Sequence, residues 1–120
     1  MKTLIICALF CLIAAATVSA EPGSISVRNE GNYTIQIFVE WVIKAGNIMQ
    51  NNVYEEECST GQTKSVYIPD GAQNVKLRVV NRASFSDLVD VFKLSFPGPV
   101  KKCYRIWGST FYPSHEEISC

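Results

Sequence analysis

Residues 33–44, YTIQIFVEWVIK, indicate the fold class because apolar residues recur there at every second position. The residues that share this apolar face are Ile35, Ile37, Val39, Trp41 and Ile43. A period of two over this length predicts a long β-strand with one dry face and one mostly wet face.

Shorter segments of strand character lie on both sides of this stretch, separated by turn signals such as those at 69–71 and 97–99. We predict strands over 24–29, 63–68, 74–81 and 101–107, with a short last strand ending at Cys120. Residues 84–96 fit either a short helix or an irregular strand. Several short strands spaced by turns predict an all-β protein, an antiparallel β-sandwich.

The first twenty residues have the pattern of a secretory signal peptide: one basic residue, an apolar run and a small-residue exit at Ala20. The apolar run, residues 4–16, is too short to cross a bilayer, which needs about 20 residues. Removal of residues 1–20 from the 120-residue chain would leave a single domain at 21–120 with 10 basic and 11 acidic residues, a net charge of −1. We therefore expect a secreted domain with no nucleic-acid partner.

Four blocks of the chain, in order, resemble one protein family. Residues 31–33, Gly-Asn-Tyr, followed by Trp41 resemble a G-A-Y…W pattern, and residues 68–69 with 72–77 are similar to I-P…A-x-N-I-x-I. Residues 106–113, IWGSTFYP, resemble the signature I-W-G-T-T-L-Y-P. These are motifs of the C-terminal membrane-recognition domain of the cholesterol-dependent (thiol-activated) cytolysins. The resemblance implies an immunoglobulin-like β-sandwich whose loops meet a membrane.

The resemblance also implies the site residues. The sterol-recognising Thr-Leu pair of the family corresponds to Thr110 and Phe111, within the loop Ser109, Thr110, Phe111 and Tyr112. Ala72, Phe85 and Leu88 lie in supporting loops that should gather at the same end. The Trp-rich undecapeptide of the family is replaced at 81–91 by a stretch without Cys or Trp. The domains that form the family's pore do not fit in 100 residues, so pore formation would need a partner protein.

Little in the sequence supports an enzyme, a metal site or a cofactor. His115 is the single histidine, and neighbours along one strand end do not converge as a catalytic triad does. The acidic run Glu55, Glu56 and Glu57 is interpreted as a solvated loop, not a calcium site. Trp41 and Trp107 are expected in the core.

Three cysteines remain after the leader is removed: Cys58, Cys103 and Cys120. A hairpin turning near 111.5 would place the partner of Cys103 at or next to position 120, which favours a Cys103–Cys120 disulfide. Pairing of Cys58 with Cys103 is the main alternative. A leftover Cys58 would be buried, modified or bonded to a second chain as a dimer.

Asn32-Tyr33-Thr34 is an N-glycosylation sequon. Asn32 is therefore a predicted glycosylation site. The sequence as a whole leaves two functional hypotheses. The first is a secreted module that recognises a membrane surface, with cholesterol as its target lipid and a toxin-like or defence role. The alternative is a secreted glycan- or protein-binding module without membrane affinity.

Overall fold

The computed structural model of the protein describes residues 22–82 and 89–120. The predicted signal peptide, Phe85 and Leu88 lie outside the described residues. Within these described ranges eight strands form, in chain order: β1 (Gly23–Asn29), β2 (Ile35–Ala45), β3 (Ile48–Cys58), β4 (Thr63–Ile68), β5 (Gln73–Asn81), β6 (Val89–Phe96), β7 (Lys101–Gly108) and β8 (Pro113–Ile118).

The strands form two four-stranded sheets that pack as a sandwich. One sheet has the order β4-β1-β7-β8 and the other β3-β2-β5-β6. Every pair is antiparallel except β1 with β7, which is parallel. The prediction of an all-β, immunoglobulin-like sandwich is confirmed. No helix in the described part of the protein is long and apolar enough to cross a membrane.

Strand β2 shows why the alternating stretch forms a strand. Ile35, Ile37 and Val39 are at most 1% exposed and pack in the core between the sheets. Further along, β2 leaves its neighbour β5 after Val42, so the face that carries Trp41 is only half covered. Trp41 is half-buried and packs against the edge of the core.

The sequence pattern does not predict strand β3, which the structure shows at residues 48–58. It pairs with β2 along its whole length at the edge of the sheet, and Cys58 is its one buried residue. The prediction that Glu55, Glu56 and Glu57 lie in a loop is therefore wrong, because all three are in strand β3. Each glutamate contacts a different partner, Glu55 with Gln36, Glu56 with Lys64 and Glu57 with Arg82, so they do not converge on a cation.

Strand β6 resolves the ambiguity at 84–96 for its described part. Val89–Phe96 is a strand whose pairing with β5 shifts register between Val79 and Val80. Phe92 is buried there and lies 5.4 Å, between ring centroids, from Tyr104 of the opposite sheet. This irregular register explains why no clean period of two appears in the sequence.

Two expectations about the last strands need correction. Trp107 is half-buried and lies outside the core cluster, and the Arg105 guanidinium covers its ring at 4.4 Å from the centroid. The hairpin pairs Cys103 with Ile118, not with Cys120 or its neighbour, so it turns between residues 110 and 111. The disulfide to Cys120 therefore runs diagonally across the strand pair, with a Cα–Cα distance of 5.3 Å.

Candidate functional site

Several loops meet at one end of the sandwich, which we call the apical end. Parallel pairing sets Asn29 beside Ile106, so the loops after β1 and β7 leave the same end. In the other sheet Ile35 pairs with both Cys58 and Asn81, which brings the β3–β4 loop and the exit of β5 to this end. The apical end is thus formed by residues 30–34, 59–62 and 109–112, together with Arg82, whose amide donates to the Thr34 carbonyl at 2.9 Å.

Ala72 lies at the opposite, basal end, so its assignment as a supporting residue of the Thr110 loop is wrong. Its amide donates to the Pro69 carbonyl at 3.2 Å, and its side chain is 3% exposed. The loop that belongs at the apical end is 59–62. There, the Thr60 hydroxyl donates to the Gly31 carbonyl at 2.8 Å, and the Gly61 amide donates to the Asn29 carbonyl at 2.7 Å.

The loop at 109–112 is a closed turn. The Tyr112 amide donates to the Ser109 carbonyl at 3.1 Å, and the Ser109 amide donates to the Tyr112 carbonyl at 3.3 Å. Gly108 opens the turn with φ +93°, a left-handed conformation that L side chains rarely adopt. The Asn81 side chain donates to the Thr110 carbonyl at 3.0 Å and ties the turn to the second sheet.

This turn presents two adjacent aromatic rings to solvent. Phe111 is 85% exposed and Tyr112 is 82% exposed, so neither ring folds back to cap the sandwich. Ser109 is exposed and Thr110 is half-buried. The four predicted loop residues therefore lie together, with the aromatic pair outermost.

Asn29 is the buried centre of the apical scaffold, which sequence reasoning missed. Its side-chain amide donates to the carbonyls of Tyr33 at 2.7 Å and Cys58 at 3.0 Å, and its oxygen accepts from the Gly31 amide at 2.9 Å. It is fully buried. An asparagine at the end of a strand has the donors and acceptor to bridge loops, but only the pairing of the strands shows which loops it reaches.

Tyr33 connects the first apical loop to the strand that carries the aromatic turn. Its hydroxyl donates to the Trp107 carbonyl at 3.1 Å, and its ring packs beneath Gly31, where an added Cβ would approach the ring to 2.6 Å. Burial raises the pKa of Tyr33, which keeps the hydroxyl protonated as a donor. The apical loops are consequently held in place before any ligand binds.

In the described part of the apical end, the charged side chains are paired. Arg105 contacts Glu30 at 3.2 Å and Glu116 at 3.0 Å, and Arg82 contacts Glu57 at 3.2 Å. Ion pairs of this kind leave little net electrostatic field at the apical end. The described charges at this end therefore favour little electrostatic attraction to anionic lipid.

Three further observations bear on the hypotheses drawn from the sequence. The ring of His115 stacks on the buried Phe92 at a centroid distance of 4.3 Å, so this histidine packs against a core aromatic residue. Among residues 22–82 and 89–120, no group of three or more His, Cys, Asp or Glu residues is placed to hold a metal ion. Cys58 is free and fully buried, so its sulfur is out of reach of a second protein molecule in this structure.

A family model described as the thiol-activated cytolysin beta sandwich domain matches residues 24–114. The protein belongs to this family. Among solved structures, the membrane-binding domain of pneumolysin superposes with a TM-score of 0.68 at 16% identity, covering 83% of this chain and 98% of that domain.

Whole cytolysins show the same sandwich. Listeriolysin O matches with a TM-score of 0.65 at 18% identity, and suilysin, a cytotoxin protein of Streptococcus suis, with 0.66 at 14%. Each match covers 84% of this chain but only 23% of listeriolysin O and 24% of suilysin. No curated protein sequence matches. At these identities the solved structures establish the fold of this cytolysin domain, and its target is a matter for proposal.

Proposed function

We propose that this cytolysin-type domain is a non-enzymatic module that recognises membrane surfaces through its apical loop, with a sterol as the preferred lipid. The observation that carries the proposal is the pair Phe111 and Tyr112. These two adjacent rings are each more than 80% exposed on a turn closed by backbone hydrogen bonds. Aromatic residues suit the bilayer interface, where an apolar ring is buried and a polar tip stays wet. A soluble domain gains nothing in its own stability from exposing them.

Thr110 is proposed as the sterol-contacting residue, together with Phe111. They occupy the position of the family's Thr-Leu pair, and the larger Phe111 ring keeps the apolar character of that leucine. The Asn81 hydrogen bond fixes the Thr110 backbone, so a contact made by this residue needs little ordering on binding.

The predicted leader at residues 1–20 supports an extracellular site of action. A toxin-like or defence role is proposed from the family, with a pore-forming protein as a proposed partner. The paired apical charges favour insertion of the rings over attraction to charged lipid as the source of affinity.

Flotation with phosphatidylcholine vesicles, with and without cholesterol, tests the proposal on protein from a host that attaches no N-glycan. We expect the protein to float with cholesterol-containing vesicles and a Thr110→Gly/Phe111→Gly double variant to stay behind. If both proteins remain unbound at every cholesterol content, the membrane function is lost, and the glycan-binding alternative becomes the one to test.

A further inference from the structure

We propose that Asn32 carries an N-linked glycan in a eukaryotic secretory pathway, and that this glycan holds the apical loop away from membranes until it is removed. The proposal rests on the membrane function proposed above. It assigns to the same site a regulatory modification that would protect the membranes of the producing cell during export.

The position of Asn32 in the fold supports modification. Asn32 is exposed, whereas its neighbours Gly31 and Tyr33 are buried, so its side chain projects from this loop into solvent. Among the described residues its side-chain amide makes no hydrogen bond. A sequon in an exposed loop of an exported protein is the ordinary substrate of N-glycosylation.

The chemistry requires only a lipid-linked oligosaccharide diphosphate as co-substrate. The Asn32 side-chain nitrogen forms a bond to the anomeric carbon of the first sugar and loses one proton. The lipid diphosphate leaves with the electron pair of the broken carbon–oxygen bond. A peptide N-glycosidase removes the glycan by hydrolysis, because one water cleaves the bond between the amide carbon and nitrogen of the modified asparagine and leaves an aspartate at position 32.

The apical scaffold places the attachment point beside the aromatic turn. The Asn32 backbone amide donates to the Gly108 carbonyl at 3.2 Å. Phe111 follows Gly108 by three residues, which span at most about 11 Å of backbone. The glycan root and the membrane-facing ring are therefore neighbours at one end of the sandwich.

Because the apical loops are rigid, a glycan on Asn32 would stay close to the aromatic rings and hinder their insertion. Asn29, Tyr33 and Thr60 fix the first apical loop by hydrogen bonds to neighbouring loops and to β7. A bulky hydrophilic group on Asn32 cannot swing away with a mobile loop, so it would meet the bilayer surface before the rings insert.

The test uses the full 120-residue protein exported from a glycosylating eukaryotic host. Intact mass should show a glycan on wild type and none on Asn32→Gln. The affinity for cholesterol-containing vesicles, measured by flotation, should be at least about thirtyfold lower for the glycosylated protein, the effect expected from losing insertion of one ring. Treatment with peptide N-glycosidase should restore flotation to the level of an Asn32→Asp variant, which has the product of that hydrolysis.

A relocated sequon is the matched control. Met49→Thr creates a sequon at Asn47, in the β2–β3 turn at the basal end, where Met49 is 53% exposed. In an Asn32→Gln background this variant should carry a glycan and still float. The comparison separates a local block at the apical end from a general effect of glycosylation on solubility.

The outcomes separate the two proposals. If Asn32→Gln does not float, the membrane function itself fails. If Asn32→Gln floats and the glycosylated wild type floats equally well, or if no glycan is attached, the membrane function stands and the regulatory proposal is overturned. If the glycan at Asn47 blocks flotation as strongly as the one at Asn32, control by position is refuted.

Discussion

Replacement of Phe111 by alanine should weaken membrane binding by about thirtyfold without changing stability. Phe111 is 85% exposed, so nearly the whole ring is available for transfer into the bilayer. A phenylalanine buries roughly 150–250 Å² when fully enclosed. Shallow insertion removes about half of this, some 80–100 Å², from water, which contributes about 2 kcal/mol at 25 cal/mol per Å². Each 1.4 kcal/mol corresponds to about a tenfold change in the partition constant.

The assay is a titration of unglycosylated protein with cholesterol-containing vesicles, with the bound fraction read from flotation. Tyr67→Ala is the matched control, because Tyr67 is 81% exposed but lies near the basal end, where β4 finishes. Chemical denaturation of each variant should give free energies of unfolding within about 0.5 kcal/mol of wild type. The reasoning is refuted if Phe111→Ala binds within twofold of wild type, or if Tyr67→Ala loses as much affinity.

Three further predictions concern the scaffold. Cys120→Ser should lower the free energy of unfolding by about 3 kcal/mol in denaturant titrations, since the disulfide closes a loop of sequence separation 17; an unchanged midpoint would contradict this. Asn29→Ala should cost about 3 kcal/mol by the same measurement, because three buried backbone groups lose their partner, and a cost below about 1 kcal/mol would show that water replaces it. The Arg78 hydrogen bond lowers the pKa of Asp90, so the stability that Asp90 adds is present above pH about 4 and is lost as pH falls through the lowered pKa. The stability difference between wild type and Asp90→Asn should therefore be larger at pH 7 than at pH 2, and the reverse order would show that the ion pair is not the cause.

Strand β2 could be predicted from the sequence because its apolar residues alternate and those of its first half, Ile35, Ile37 and Val39, are buried against the opposing sheet. Strand β3 could not, because it is an edge strand whose far half extends past β5 and has no opposing sheet to cover it. Gln50, Asn51 and Asn52 in its middle carry no apolar period, and backbone pairing with β2 alone defines the strand. Hydrophobic periodicity reports burial, so it does not detect a strand without a buried face.

Strand β3 also corrects the position of Ala72, which the family resemblance places with the Thr110 loop. Successive strands run in opposite directions along the sandwich, so the connections alternate between the two ends. With β3 included, the connection at 59–62 lies at the apical end and the turn at 69–72 lies at the basal end. The turn at 109–112 could be placed because the signature motif and the β7–β8 hairpin are local in sequence. The contacts of Asn29 and Asn81 could not be predicted, since each joins segments brought together only by pairing of distant strands.

The energetics of the apical end set how the domain can work. Two half-inserted rings contribute about 4 kcal/mol, which corresponds to a dissociation constant of about 1 mM. Because Asn29, Tyr33 and Asn81 already order the loops, little of this free energy is lost to ordering on binding. It is still marginal, as membrane binding by one acyl group is. A specific sterol contact at Thr110, or several domains acting together, must then supply the rest of a useful affinity. Because the binding free energy from the two rings is this small, a single glycan at Asn32 would be enough to shift the protein from the membrane-bound to the free state.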